Sequence, residues 1–430
     1  MYREMDTLNP FTSQMLGEVF HQIFEGLTMA NDKNTYFGMA AKEIPTVENG
    51  GITTNKDGKT EMTWKLQENI KWHDGKDVTA EDVCFTFNWI VSDDGKLIYN
   101  QGDYKNIEKC EVVDKFTAKF TWKNPFAKYG TLFEAFLPKH LLEGKTISTL
   151  DSYNRAPIGN GPYKFAEWKA GQYIRLVKNE NYWRSKDQPK FDEVIYYHIP
   201  DANTRLNGMK AGEYDIAQLD SLLIKQAQGI PGTKAVMVSQ NSFYHMDFSL
   251  KTERGKKLFS DIRVRQGIFY ALDRDSIAKD LFDGNVTVAH TPIHPTSPYF
   301  NPDVLKYNFD VEKAKKLLDD AGWKVGASGI REKDGEKLSF TLLTRSDGDR
   351  TLLSQAIQAM LKKVNVDVKV DSMQATAYTN LWRTGEWEAL ISGWILPADP
   401  SFTRQYACRG SNNMTSTCDP ELDKLMDASD

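Results

Sequence analysis

Two histidines four residues apart, His290 and His294 in His-Thr-Pro-Ile-His, come nearest in this sequence to a metal-ligating pair. At that spacing two imidazoles on one helix face could share an ion, but Pro292 between them forbids the regular helix. The seven histidines are otherwise scattered. No G-x-x-x-x-G-K-[ST] phosphate loop, H-E-x-x-H zinc helix or G-x-S-x-G nucleophile elbow occurs. Gly159-Asn160-Gly161 lacks the third glycine of a dinucleotide loop and opens onto a strand pattern. The carboxylate pair Asp319-Asp320 lies at a helix end and reads as a solvated face. The expectation is a protein that is not an enzyme and that carries no metal or organic cofactor. Among the four cysteines, Cys408 and Cys418 flank a loop rich in Gly, Ser, Asn and Thr. In an oxidising compartment a disulfide there would contribute about 2–3 kcal/mol; the alternative is two reduced surface thiols. Cys84 and Cys110 lie in apolar-patterned segments and read as buried small hydrophobes.

The elements that must position any site alternate between strand and helix throughout, an α/β pattern without internal repeats. Helical spacing of Phe20, Ile23, Phe24 and Leu27 predicts a helix over Met15 to Glu25. Residues 60–72 alternate apolar and polar, predicting a half-buried strand. Thr79 with Asp82 predicts a capping box opening the next helix, and a hairpin turns through Asp114-Lys115-Phe116. Gly159-Asn160-Gly161-Pro162 is a loop signal, glycine permitting positive φ. Strands follow at Tyr163–Trp168, Tyr173–Lys178 and Glu193–Ile199, then a helix near Asn203. Asp261, Asp275 and Asp310 are expected to cap three further helices, the last closed by Gly322. A strand, helix and strand run over Leu338–Leu343, Leu352–Lys363 and Val366–Val370, before the apolar stretch Ala389 to Trp394.

A chain of 430 residues exceeds one ordinary core and predicts two or three domains. Its 40% hydrophobic and 26% charged residues are globular proportions, which argues against wholesale disorder. A net charge of -5 offers no general attraction to phosphate backbones, so no nucleic-acid partner is expected. No apolar run of about 18 residues is present to span a bilayer. Met1 leads directly into Tyr2-Arg3-Glu4-Met5 without a basic-then-apolar leader. The expectation is therefore either a cytoplasmic start or an export signal already removed.

Several stretches in collinear order resemble the extracytoplasmic solute-binding proteins of the peptide/nickel type of ABC importers, solute-binding family 5. They are Leu8-Asn9-Pro10 with Ile23-Phe24-Glu25-Gly26-Leu27, then Trp64-Lys65-Leu66 with Ile70-Lys71-Trp72-His73-Asp74-Gly75 and Thr79-Ala80-Glu81-Asp82-Val83. Gly159-Asn160-Gly161-Pro162-Tyr163 and Asn179-Glu180-Asn181-Tyr182-Trp183 follow. Val264-Arg265-Gln266, Ala271-Leu272-Asp273-Arg274 and Ala314-Lys315-Lys316-Leu317-Leu318 with Ala321-Gly322-Trp323 extend the order into the C-terminal half.

The resemblance implies a two-lobed, type II periplasmic-binding-protein clamshell with a subdomain inserted in the first lobe. Its boundaries fall at 1–40 and 155–242 for the first lobe, 41–154 for the insert and 243–430 for the second lobe. It also implies that the chain is truncated at its C-terminus. The implied function is capture of a small solute, a peptide or peptide-like molecule, by hinge closure and delivery to ABC permease subunits. The protein would be periplasmic or extracytoplasmic and monomeric, held at the membrane by its transporter or by a lipid anchor outside this chain. A ligand sensor on the same fold, or a carbohydrate-binding member, is the alternative. Peptide-binding relatives carry an Asp soon after a Gly-Trp pair to hold the ligand's amino group. Here Gly393-Trp394 is followed by Pro397 near that place, with Asp399 slightly later. The expected ligand-binding set is Trp394, Asp399, Phe402 and Asn412 with Ser13 and Gln14, beside a Cys408–Cys418 disulfide. Trp394 would cover the ligand, with core packing as its alternative role. Asp399 would supply negative charge, with turn formation as its alternative.

Overall fold

The computed structural model describes residues 5–12, 17–33, 35–92, 98, 101–146, 149–238, 241–346, 349–396 and 401–429. The chain divides into two compact units, Met1–Arg205 and Leu206–Asp430.

In the first unit β1 (Thr28–Ala30) and β2 (Tyr36–Gly38) form a short antiparallel pair. Strands β3 (Ile52–Thr54), β4 (Thr60–Lys65), β5 (Ile107–Asp114) and β6 (Thr117–Trp122) form an antiparallel sheet in the order β3-β4-β6-β5. Alternation puts Met62 and Trp64 of β4 and Phe120 and Trp122 of β6 into one core, which the helix Ala80–Val91 joins through Val83, Phe87 and Ile90. The predicted strand over 60–72 stops at Lys65. Leu66 still donates to Phe116 O, but Gln67 turns to Ala40 O, so Ile70 and Trp72 enter the core from a loop. The capping expectation is met: Asp82 Oδ2 accepts from Thr79 N–H at 2.9 Å, and Asp82 Oδ1 from Lys139 N–H at 2.9 Å. Cys84 on the helix and Cys110 on β5 are disulfide-bonded, with Cα atoms 5.3 Å apart. The reading of these two as unpaired hydrophobes is corrected, because packing this helix on this strand brings the two side chains together.

Strands β7 (Tyr163–Lys169), β8 (Tyr173–Lys178) and β9 (Glu193–Tyr197) make a three-stranded antiparallel sheet. Tyr163, Ile174 and Leu176 pack there with Leu8, Val19, Ile23 and Phe24. The first described helix spans Gly17–Ile23; it ends before Glu25 because Ile23 O accepts from Asn160 N–H at 3.1 Å and Gly161 N–H at 2.8 Å. Neither Gly159 nor Gly161 adopts positive φ. What they provide is close approach, since a Cβ on Gly159 would lie 2.0 Å from Ile23 O.

At this junction the Asn160 amide clamps the Glu25 backbone, accepting from its N–H and donating to its carbonyl, each at 2.9 Å. The Glu25 carboxyl is buried; it accepts from Trp183 Nε1 at 2.6 Å and from the Tyr182 hydroxyl. Burial raises its pKa, opposed by those two donors and by Arg184. His73 seals the other side. Its Nδ1 accepts from Gly159 N–H at 3.2 Å and its Nε2 donates to Gly161 O at 3.0 Å, so both ring nitrogens are used. Desolvation, helped by the Lys164 charge, pushes the imidazole down to about 4.

In the second unit β10 (Ser242–Phe248) opens a mixed sheet. A small antiparallel array of β11 (Lys324–Val325), β12 (Arg331–Lys333) and β13 (Glu336–Lys337) precedes β14 (Ser339–Arg345), β15 (Asp367–Met373) and β16 (Ala389–Ile395). The main sheet runs β10-β16-β14-β15, with β14 parallel to both neighbours and β10 antiparallel on β16. One face, bearing Phe340, Leu342, Val368 and Ile391, is buried beneath Phe259, Val264, Leu318 and Leu361. The other bears Leu343 and Leu390 and packs against Tyr378 and Trp382 of the helix Ala375–Thr384. Asp261 and Asp310 cap their helices, accepting from Arg263 N–H and Lys313 N–H at 2.9 Å each. The third cap is Asp273, which accepts from Ser276 N–H at 3.0 Å, and Asp275 falls inside the turn it opens. Asp319 is more than a solvated carboxylate. It lies 2.6 Å from the guanidinium of Arg331, a residue only 2% exposed that also donates to Val364 O and Trp323 O.

Replacing Glu25 with Ala strands the Tyr182 hydroxyl and the Trp183 indole N–H. Urea unfolding of Glu25→Ala should show a loss of about 2–4 kcal/mol, and a loss below 1 would mean the junction tolerates orphaned donors. His73 is neutral when folded down to about pH 4, while its unfolded form takes a proton near 6.5. Below pH 6.5 the unfolded chain therefore binds more protons, and stability present above 6.5 is lost as pH falls toward 4. The slope is at most about 1.4 kcal/mol per pH unit. That part of the pH dependence should be missing from His73→Gln when denaturation curves at pH 7.5, 5.5 and 4.5 are compared with the parent.

Candidate ligand-binding face of the second unit

The face of the main sheet under Tyr378 and Trp382 carries Trp394, one of the side chains expected to contact a ligand, beside further aromatic and polar groups. Alternation along β10 puts Phe243, His245 and Asp247 on it, and register pairs them with Trp394, Ser392 and Leu390 of β16. Trp394 is half-buried. Its ring lies parallel to His245, with centroids 5.9 Å apart at 11°, and edge-on to Trp382 at 6.0 Å. His245 Nδ1 is 2.9 Å from Asp247 Oδ1. The Tyr378 hydroxyl donates to Ile391 O at 2.9 Å, and burial raises its pKa to about 12, with the Asp247 charge adding to the shift. Tyr406 is raised too, by burial and then by Asp247.

Beyond β16, Phe402 stacks on Tyr406, with centroids 5.7 Å apart. Cys408 and Cys418 are disulfide-bonded with Cα atoms 4.4 Å apart. The loop they close is braced by Asn413, whose amide donates to Ala407 O at 2.9 Å and Thr417 O at 2.7 Å and accepts from Thr415 Oγ1 at 2.8 Å. Gly410 is required by contact, because a Cβ there would meet Arg404 O at 2.4 Å. Thr415 O accepts from Leu250 N–H at 2.7 Å, and Met414 packs with Tyr378 and Leu390, which docks the loop on the same sheet face. Asn412 donates its backbone N–H to Arg404 O, while its side chain makes no hydrogen bond among the described residues.

Of the expected set, Trp394, Phe402, Asn412 and the two cysteines belong to this unit, whereas Ser13, Gln14 and Asp399 lie outside the described residues. His245, Asp247, Tyr378 and Tyr406 were missed. The signal for the first two was the i, i+2 spacing of His and Asp in an alternating segment, visible only once that segment is read as a strand. His290 and His294 do not meet on a helix. They approach Arg274 and Thr296 respectively, and no group of three or more potential metal ligands occurs among the described residues.

The chain belongs to the bacterial extracellular solute-binding proteins, family 5, whose middle-region profile matches residues 38–416. Its function is therefore solute binding outside the cytoplasm, and no helix among the described residues is long and apolar enough to cross a membrane. It is 33% identical to the oligopeptide-binding protein AppA of Bacillus subtilis over 86% of this chain and 70% of that protein. The solved structure of AppA with a nonapeptide matches at a TM-score of 0.84 and 30% identity, covering 99% of this chain and 84% of that one. NikZ from Campylobacter jejuni, in complex with Ni(L-His), matches at 0.87 and 27% identity over the same shares.

The two neighbouring asparagines have different roles, and substitution separates them. Asn413→Ala should cost about 1–3 kcal/mol through the lost loop hydrogen bonds, whereas Asn412→Ala should stay within about 0.5 kcal/mol. Equal losses in paired thermal melts would refute this division.

Proposed function

We propose that this protein captures an oligopeptide and delivers it, chemically unaltered, to the permease subunits of an ABC importer. The observation that carries the reading is the 33% identity with an oligopeptide-binding protein across most of the chain. An aromatic face flanked by a disulfide-closed loop supports it, since such surfaces hold extended ligands through stacking and a few polar contacts. In this proposal residues 1–40 and 155–242 form the first lobe, 41–154 its insert and 243–430 the second lobe. Ligand contacts come from Trp394, Asp399, Phe402 and Asn412 of the second lobe and Ser13 and Gln14 of the first. Binding selects a closed form, and no bond in the ligand is made or broken.

A second reading, capture of a nickel–histidine chelate, is favoured by the fold match to NikZ with Ni(L-His). Thermal melts and small-angle scattering with a random pentapeptide pool and with Ni(II)–histidine decide between them. A peptide present at a hundred times its dissociation constant should stabilise the protein by about 2.7 kcal/mol and reduce its radius of gyration. A response to Ni(II)–histidine alone would transfer the assignment to the chelate, and cleavage of bound peptide seen by mass spectrometry would overturn the non-enzymatic reading.

A further inference from the structure

From Leu132 to Pro138 every residue of the first unit is buried except Glu134. Phe133 and Phe136 belong to the core around Trp64 and Trp72, and Ala135 to the core around Ile23 and Phe24. The segment therefore follows the seam between two cores, and Glu134 is the one side chain left within reach of solvent.

The backbone that carries it is fixed from several directions. Phe133 N–H donates to the Tyr104 hydroxyl at 2.9 Å, Phe133 O accepts from Leu27 N–H at 2.8 Å, and Leu137 N–H donates to Thr86 Oγ1 at 2.9 Å. Gly26 lies against the same stretch, since a Cβ there would come within 2.2 Å of the Glu134 carbonyl carbon. Phe133 itself sits at a φ of 56°. The other non-glycine residues at positive φ among the described residues are Asp283, Asp334, Asn365 and Ser416, all short and polar. A bulky aromatic residue in that region is strained by about 1–3 kcal/mol, and strain of this kind persists where the surroundings over-determine it. Here the Phe133 ring stacks on Phe120 and meets Tyr104 edge-on, each with centroids 5.0 Å apart. The ring is locked inward and the next side chain faces out.

Glu134 makes no hydrogen bond or ion pair among the described residues. Burial alone pushes its carboxyl above the usual range, with no positive charge acting against the shift. Water reaches the side chain while protein crowds the carboxyl enough to desolvate it, which describes a recess and not an open surface. A carboxylate held rigidly in such a place without a counter-charge is costly at rest, and it gains most when a cation arrives.

We propose that Glu134 is a specificity-determining residue on the first unit, pairing with a lysine or arginine side chain of the bound peptide. The assignment rests on the peptide-binding reading and deepens it, because it states which peptides are preferred and which residue selects them. It is independent of the sheet face that carries Trp394 in the second unit.

The test is calorimetric titration of the full chain with alanine pentapeptides bearing one Lys at each of positions two to five, each beside its norleucine counterpart. All keep the same free amino terminus, so only the side-chain charge varies. At one position or more the parent should favour Lys by about tenfold, the scale of one charge-assisted hydrogen bond. Glu134→Gln should bring each such pair within about twofold and leave the norleucine affinities as they were. It should melt no lower than the parent, since no partner is lost. If Glu134→Gln does melt early, Glu134→Asp, which keeps the charge but withdraws it by one methylene, should still reduce the preference for Lys. Equal binding of Lys and norleucine peptides by the parent overturns the assignment while leaving peptide binding intact. So does a tenfold preference that survives in Glu134→Gln, or an equal loss of both peptide types in that variant. Failure of every peptide to bind the parent refutes the peptide reading, and the assignment falls with it.

Discussion

Burying a carboxyl without a salt-bridge partner in contact costs several kcal/mol unless hydrogen bonds replace its water, and the first unit is arranged so that Glu25 meets that condition. Its oxygens accept from Tyr182 and Trp183, and its peptide group is clamped by Asn160. For the clamp to close, the loop from Gly159 to Pro162 must touch the end of the helix Gly17–Ile23, a contact that excludes any Cβ at Gly159. His73 then holds Gly159 and Gly161 from the side of the inserted segment. Residues near positions 25, 73, 160 and 182 thus close a single joint, and the sheet β7-β8-β9 and the core around Trp72 depend on the same backbone positions.

This joint explains what the family-like segments do. Ile23–Leu27, His73–Gly75, Gly159–Tyr163 and Asn179–Trp183 are far apart in sequence and meet at Glu25. Their polar residues are satisfied by one another, which leaves them little with which to bind a solute. In the second unit the side chain of Asn412 makes no hydrogen bond among the described residues and Trp394 is only half-covered.

Local signals were legible and long-range ones were not. The caps at Asp261 and Asp310 could be read because an N-cap bonds to a backbone group two or three residues away. Asp273 and Asp275 present the same signal two residues apart, and only the path of the chain decides between them. The β5–β6 hairpin was readable from its turn, whereas the end of β4 at Lys65 depends on Ala40 drawing Gln67 away. The Cys84–Cys110 bond follows from a helix lying on a strand, and the Asp319–Arg331 pair from β12 folding back beneath its helix; neither carries a spacing rule. For the site, Trp394, Phe402 and Asn412 were reached through family resemblance. His245 and Asp247 required knowing that their segment is a strand, because on a helix an i, i+2 pair points in divergent directions.

The contrast between the units bears on how solute preference can change without loss of the fold. At the joint each polar group is the partner of another, so altering one strands the next, and the cost falls on stability. On the face of β10 and β16 the sheet is held by backbone pairing and by apolar packing from Leu343, Leu390 and Tyr378. Substituting a surface side chain such as Asn412 there orphans no described partner. Asp247 is intermediate, since it holds His245 through one oxygen and leaves the other open. A change at Asp247 disturbs one hydrogen bond among the described residues, worth about 1 kcal/mol. That is a small part of the stability of a domain and a large part of the difference between two ligands.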